Sequence, residues 1–456
     1  MLDQLNRPIS KGNVMSTRRR FLRDSTVALA GTAGLPKILR AQRSNIAPSD
    51  QIRVGVIGCN GMGFSDLTSI MKVPEVECAA LCDVDNEVLA RRASQVEERW
   101  GSIPKLHTDF RRVLDDPDID AVIIGTPDHW HCLMMVLACE AGKDVYVEKP
   151  LANTVGECAL MVAAAEHYGS VVQVGQWQRS GDHWTDAADY VKSGALGRIR
   201  LVKAWAYQGW MKSVPVLADE AVPEGVDYGF WLGPAPARPF NRNRFHFNFR
   251  WFWDYAGGLM TDWGVHMIDM VHYGMDATAP KSVTASGGKF AYPDDGAETP
   301  DTLQAVFEFD EFSMLWEHAT GIDLGPYQRD HGVAFIGNSG TLVVDRQKWE
   351  IYPESENVDG RLEYLTPVLP VQMRTDDGGL DAHTKNFVDC MKSREQPTCP
   401  PAIAARAAVT SHMGNISFKT GRRLTWNDHT GSFEGDAEAN ALLMPNYRSP
   451  WTLPTL

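Results

Sequence analysis

The chain has 456 residues, 44% hydrophobic and 22% charged, which is ordinary for a globular protein and long enough for two buried cores. Its formal net charge of −14 at pH 7 argues against nucleic-acid binding, because an acidic body repels phosphate backbones. No run approaches the roughly 18 consecutive apolar residues of a membrane-spanning helix, so stable membrane insertion is not expected.

The first segment reads as an export leader. Thr17-Arg18-Arg19-Arg20-Phe21-Leu22-Arg23 precedes a weakly apolar run at 25–35 and a candidate cleavage point after Ala41, with Met15 a candidate start. Paired arginines, Phe-Leu and an apolar run in that order predict a twin-arginine signal region over 1–41, and hence a periplasmic or otherwise exported protein. That route carries proteins already folded, often with a cofactor inside. The eight cysteines show no framework spacing, so they are expected as buried thiols, with Cys390 and Cys399 the one pair worth checking for a disulfide.

From 50 to 175 strands and helices alternate in the rhythm of a parallel sheet. Strands are predicted at 52–57, 76–82, 121–125, 144–147 and 171–174, and helices at 61–71, 86–100, 129–141 and 154–168. Beyond about 176 the rhythm changes. Strand-like segments at 199–207, 282–290, 302–309, 312–318, 332–337, 341–344 and 349–352 follow without long helices between them. Helices are predicted near 259–274 and at 381–393 and 402–420. The fold class is therefore an α/β dinucleotide-binding domain with a parallel sheet, 50–175, followed by an α+β domain with an open, mostly antiparallel sheet, 176–456.

Three stretches carry chemistry. Gly58-Cys59-Asn60-Gly61-Met62-Gly63 follows a strand and opens a helix, the context that a dinucleotide turn requires. Gly58 permits the tight turn and Gly63 the close packing of helix on sheet, while the helix N-terminus, with Asn60, Gly61 and Met62, receives a pyrophosphate. Asn60 stands where the usual pattern has its middle glycine. Asp83 lies 20 residues past Gly63 at a strand end, placed for ribose hydroxyls, and its charge favours NAD over NADP. Glu148-Lys149-Pro150 ends another strand, at the edge where open parallel sheets bind ligands. Lys149 there can hold a substrate hydroxyl and stabilise a developing alkoxide. In the predicted helix at 259–274, Asp262, His266 and Asp269 fall on one face, and an imidazole beside a carboxylate suits acid–base work on a hydroxyl.

Two further stretches are ambiguous. His129-Trp130-His131-Cys132 has metal-ligand residue types without zinc spacing, so no metal is expected. The run at 238–255 holds eight Phe, Trp or Tyr residues. It reads either as a sugar-binding surface or as a packing interface.

In this order the three chemical stretches resemble the Gfo/Idh/MocA family of nicotinamide-dependent oxidoreductases. The resemblance implies a Rossmann domain followed by an open sheet used for substrate binding and oligomer contacts. By the resemblance His266 takes the hydroxyl proton, Lys149 supports the oxyanion and Asp262 orients the substrate. Thr126-Pro127-Asp128-His129-Trp130-His131 resembles the family's Thr-Pro-x-x-x-His segment, which implies that Thr126, Pro127 and His131, with Glu148 and Lys149, lie beside the dinucleotide. The function implied is NAD-dependent oxidation of a secondary hydroxyl of a sugar or polyol, with the cofactor tightly held because an exported enzyme leaves its cofactor pool behind. A second implied activity is glycoside hydrolysis by transient oxidation of the sugar ring, and a third reading is a non-catalytic sugar-binding protein. The open sheet face favours a homodimer or homotetramer.

Overall fold

The protein is described here by a computed structural model that covers residue 47 and residues 50–456. The leader at 1–41 lies outside these residues.

Strand β1 (Ile52–Ile57) is buried on both faces, as a central parallel strand must be. It leads through the glycine turn into α1 (Met62–Ile70), then β2 (Val76–Cys82) and α2 (Asn86–Trp100). Asp85 caps α2 by accepting from the backbone of Glu87 and Val88, and left-handed Gly101 ends it. Next come β3 (Lys105–His107), β4 (Ala121–Ile124), α3 (His131–Glu140), β5 (Asp144–Val147), α4 (Val155–Tyr168) and β6 (Val172–Val174). All pairings are parallel, in the order β3-β2-β1-β4-β5-β6. The direction of winding reverses between β1 and β4, and the crevice outside their carboxyl ends is where ligands of such sheets bind. The edge strand β3 has no counterpart in the sequence reading, because Lys105 and Leu106 are exposed and leave no apolar pattern.

The second sheet is built from β7 (Ile199–Gln208), β8 (Ser282–Gly288), β9 (Thr302–Glu308), β10 (Ser313–Thr320), β11 (His331–Gly337), β12 (Gly340–Val344) and β13 (Lys348–Pro353). Their order is β13-β12-β11-β7-β10-β9-β8, with short strands Gln372–Met373 beyond β13 and Leu424–Asn427 and Ser432–Phe433 beyond β8. Every neighbouring pair is antiparallel except β7 with β10. The alternation of buried and exposed residues along β9 is that of a sheet with one face covered.

The single helix expected near 259–274 is two helices, α5 (Gly258–Asp262) and α6 (Gly264–Met275), separated at Trp263. Helix α7 (Leu380–Ser393) returns to the parallel sheet, where Phe387 and Val388 share a core with Val54, Val56 and Leu67. Helix α8 (Pro401–Thr420) packs between α4, α6 and β8, and so joins the two sheets. All eight cysteines, Cys390 and Cys399 included, are buried free thiols. None of the helices among the described residues is long and apolar enough to cross a membrane.

Candidate active site

A cleft of about 570 Å³ runs from the glycine turn to the junction of the two sheets. At one end the turn is held open by its glycines. Gly58 has φ +79°, and a Cβ there would lie 2.8 Å from the backbone of Gly125; one on Gly63 would lie 2.3 Å from the Gly58 carbonyl oxygen. These two positions tolerate no side chain because helix and strand meet there. Gly61 differs: a Cβ would meet no protein atom within 4 Å, and the residue lines the cleft. No side chain caps α1, so its first amides are available to an anionic ligand. Asp83 lines the cleft at the end of β2, with its carboxylate accepting from the Cys59 amide at 3.0 Å and the Asp85 amide at 3.2 Å. A pyrophosphate cradle with a fixed ribose acceptor fits a dinucleotide. Gly58, Asn60, Gly61, Met62, Asp83, Thr126, Pro127, Glu148 and Lys149 all line the cleft.

Gly63 and His131 stand behind its wall. The buried His131 ring sits between the Pro150 oxygen at 2.8 Å and the Thr126 oxygen at 2.9 Å; burial lowers its pKa, and its one N–H donates to one of the two turns while the ring packs against the other. The Asn60 side chain is committed at both ends: its oxygen accepts from Arg91 at 2.8 Å, so its NH₂ is the group 3.2 Å from His246 Nδ1.

At the other end Lys149 Nζ donates to the backbone oxygen and to Oδ1 of Asp262, both at 3.0 Å. Burial opposes ionisation of Asp262, but Lys149 and Arg250 outweigh it and hold the carboxyl down at about 2. His266 lines the same cleft, and its buried Nδ1 has no hydrogen-bond partner among the described residues. Burial, then Lys149 and Arg346, pull its pKa well below 6.5, so it is a neutral imidazole at neutral pH. The single helical face expected for Asp262, His266 and Asp269 is interrupted at Trp263, which parts Asp262 from the other two, yet Asp262 and His266 both line the cleft. Asp269 is instead buried in a two-pronged ion pair with Arg179, both oxygens at 2.7 Å, away from the cleft. Among the described residues no group of three His, Cys, Asp or Glu side chains is arranged to hold a metal.

The aromatic run divides between its two readings. Phe240, Phe245, Trp251, Phe252 and Tyr255 form a separate buried cluster with Tyr228 and Trp231. His246, Phe247, Phe249 and Arg250 face the cleft. They belong to the long segment after β7, which lies across the nucleotide end as a strap. The Asn86 amide donates to the Gly225 oxygen at 3.1 Å, the Asp227 amide to the Val84 oxygen at 2.9 Å, and His246 Nε2 to Asp85 Oδ2 at 2.9 Å. Since the Asn60 NH₂ can only donate, His246 Nδ1 must accept, and the imidazole carries its hydrogen on Nε2.

Sequence reasoning did not single out Asp128, Trp177, Arg250 or Arg346, which also line the cleft. Asp128 and Arg250 sat inside segments already marked, whereas Arg346 carries no local signal. Burial lifts the Asp128 carboxyl to about 8 against the pull of Lys149.

Residues 52–176 match the family described as "Oxidoreductase family, NAD-binding Rossmann fold", and residues 191–453 match "Oxidoreductase family, C-terminal alpha/beta domain". A glycosyl hydrolase family 109 protein of Shewanella baltica is 34% identical over 168 residues, which is 33% of this chain and 37% of that one. The chain thus spans little more than a third of the length of that relative. Among solved structures, the aldose-aldose oxidoreductase of Caulobacter crescentus complexed with glycerol is 19% identical, with a TM-score of 0.61 over 82% of this chain and 100% of that one. Levoglucosan dehydrogenase in complex with NADH and L-sorbose is also 19% identical, with a TM-score of 0.63 over 82% and 99%. At that identity these two structures speak to the fold. Together with the family matches across both halves, the glycine cleft and its Lys149–Asp262 pair identify the chain as a member of the Gfo/Idh/MocA oxidoreductase family.

Proposed function

We propose that the protein is an exported, NAD-dependent oxidoreductase that acts on a secondary hydroxyl of a sugar or polyol and keeps its dinucleotide bound between turnovers. The observation that carries this reading is the single cleft with a phosphate-sized cradle at one end and Lys149, Asp262 and His266 at the other. Bound NAD would supply the hydride acceptor. Lys149, anchored by Asp262, holds the substrate oxygen and stabilises its negative charge as the proton departs. His266, neutral and with its Nδ1 unpartnered among the described residues, receives that proton. Asp83 favours NAD, since a carboxylate repels a 2′-phosphate. The strap supports retention, because it ties a wall of the cleft to the end of β2 through Val84, Asp85 and Asn86.

The test begins with the protein as purified: denatured, it should release one dinucleotide per chain. Absence of dinucleotide, together with no binding of added NAD or NADP, overturns the reading. His266→Asn should lower kcat by about 10²–10⁴-fold, the usual range for a lost general base, and abolish the acid limb of the pH profile. That limb lies below 6.5, because His266 must be unprotonated to act. Unchanged turnover in the variant refutes its assignment.

The relationship to a glycosyl hydrolase family 109 protein favours a second reading, in which the ring is oxidised, the aglycone eliminated and the ring reduced again. Cleavage of an aryl glycoside without added hydride acceptor distinguishes it from net oxidation. A homodimer or homotetramer is proposed on the exposed Leu201 and Val306 of the open sheet, and light scattering reads the mass directly.

A further inference from the structure

Arg346 enters the cleft between two tryptophans. Its guanidinium carbon lies 4.8 Å from the centre of the Trp177 ring and 4.4 Å from that of Trp263. Its Nε donates to Gln178 Oε1 at 3.0 Å, and Gln178 Nε2 in turn donates to the His266 backbone oxygen at 3.4 Å. The fork is therefore fixed by one nitrogen and two rings, and among the described residues neither terminal nitrogen has a hydrogen-bond acceptor. Among the described residues no carboxylate lies within 4.0 Å of it, although every other cation lining this end is paired: Lys149 and Arg250 share Asp262.

A half-buried guanidinium without a counter-ion bears a desolvation cost that an anionic ligand would offset. The charge balance points the same way. Three cationic side chains, Lys149, Arg250 and Arg346, surround the one carboxylate that is strongly held in its ionised form, Asp262. Burial lifts Asp128 and Glu148, on the same wall as Lys149, to about 8 and about 7. Burial also lowers Arg346 itself to about 10, as expected for a cation short of a partner.

We propose that Arg346 is the recognition point for an anionic substituent, a carboxylate, sulfate or phosphate ester, on the sugar that occupies this cleft. The planar fork matches such groups through two parallel hydrogen bonds, and its fixed position keeps the entropy cost of binding low. The proposal rests on the sugar reading above, and narrows it from sugars in general to acidic ones.

The test is calorimetric titration of the dinucleotide-loaded protein with D-glucose, D-glucuronate, D-glucose 6-sulfate, D-glucose 6-phosphate and sodium sulfate. At least one anionic sugar should bind tighter than glucose by about tenfold to a hundredfold, the range for a charge-assisted hydrogen-bond pair. Comparison among the three substituents identifies which anion the site takes. In Arg346→Gln the ratio should fall to near unity with glucose affinity unchanged. A merely structural role for Arg346 would weaken neutral and anionic sugars alike, which overturns the proposal, as does an anionic preference that survives the substitution. If Arg346→Gln fails to fold, the unaltered protein still decides: sulfate must compete with the anionic sugar and leave glucose binding untouched, and the absence of competition is refutation. Sulfate binding that Arg346→Gln abolishes, with no sugar of any kind bound, supports the anion site while removing the sugar reading. No binding of sulfate or of any anionic sugar overturns the anion site.

Discussion

His246 is the fastener of the strap, and its replacement by alanine gives the sharpest test of cofactor retention. The substitution removes one hydrogen bond to the Asp85 carboxylate, at 2.9 Å, and one from the Asn60 amide, at 3.2 Å. Bonds to charged groups contribute about 1.5–3 kcal/mol and neutral ones about 0.5–1.5 kcal/mol. The His246 side chain is 35% exposed, which places both near the lower ends of those ranges. The strap should therefore lose about 2 kcal/mol of closing free energy, or roughly thirtyfold in its open-to-closed ratio. If the dinucleotide departs only past an open strap, its release rate rises by about the same factor. The assay is the decay of bound NADH fluorescence after dilution into excess NAD, with a melting curve to confirm the fold. A His246→Ala protein that melts normally and releases NADH at the unaltered rate would falsify the fastener. Asn60→Gly, which restores the ordinary glycine pattern but removes half of the clasp, should release faster too.

Further substitutions separate site from scaffold. Gly61→Ala should fold normally yet bind NAD weakly, because its new methyl meets only the cleft, whereas Gly63→Ala should destabilise the turn itself through its 2.3 Å clash with the Gly58 oxygen; thermal melts and NAD titration of both report the difference. Asp269→Asn leaves the Arg179 guanidinium buried without its charge partner, and urea denaturation should register a loss of about 3–5 kcal/mol. Full stability with lost turnover would instead show that Asp269 acts in the reaction. Asp66 is fully buried with neither carboxyl oxygen partnered, and burial, then the neighbouring Glu148, raises its pKa well above 3.8. Such a group favours the folded state while protonated. Its contribution is present below the unfolded value of about 3.9 and is lost as pH climbs through the raised folded value. The melting-temperature advantage of Asp66→Asn over the unaltered protein should therefore grow as pH rises from 4 toward neutrality, and a constant difference would contradict this.

The sequence determined what is decided within a few residues of chain. The β1–turn–α1 unit and Asp83 were legible because the glycine conformations, the helix start and the strand end all lie within one short segment. The change from strand–helix alternation to successive strands separated the two sheets for the same reason: side-chain periodicity is a local property. Tertiary structure decided which charges meet. Lys149 and Asp262 are 113 residues apart, and their contact exists because the end of β5 faces the end of α5. A helical wheel placed Asp269 beside His266 on one helix, but pairing with Arg179, 90 residues away, committed its carboxylate elsewhere. Asn60 looked like a flaw in a glycine pattern until the strap, 186 residues on, put His246 against it. Arg346 had no motif at all, since an arginine between two strands signals nothing until two tryptophans from other parts of the fold enclose it. Backbone preference acts through neighbouring bonds, whereas electrostatic partnership acts through space, and only the folded chain says which residues share that space.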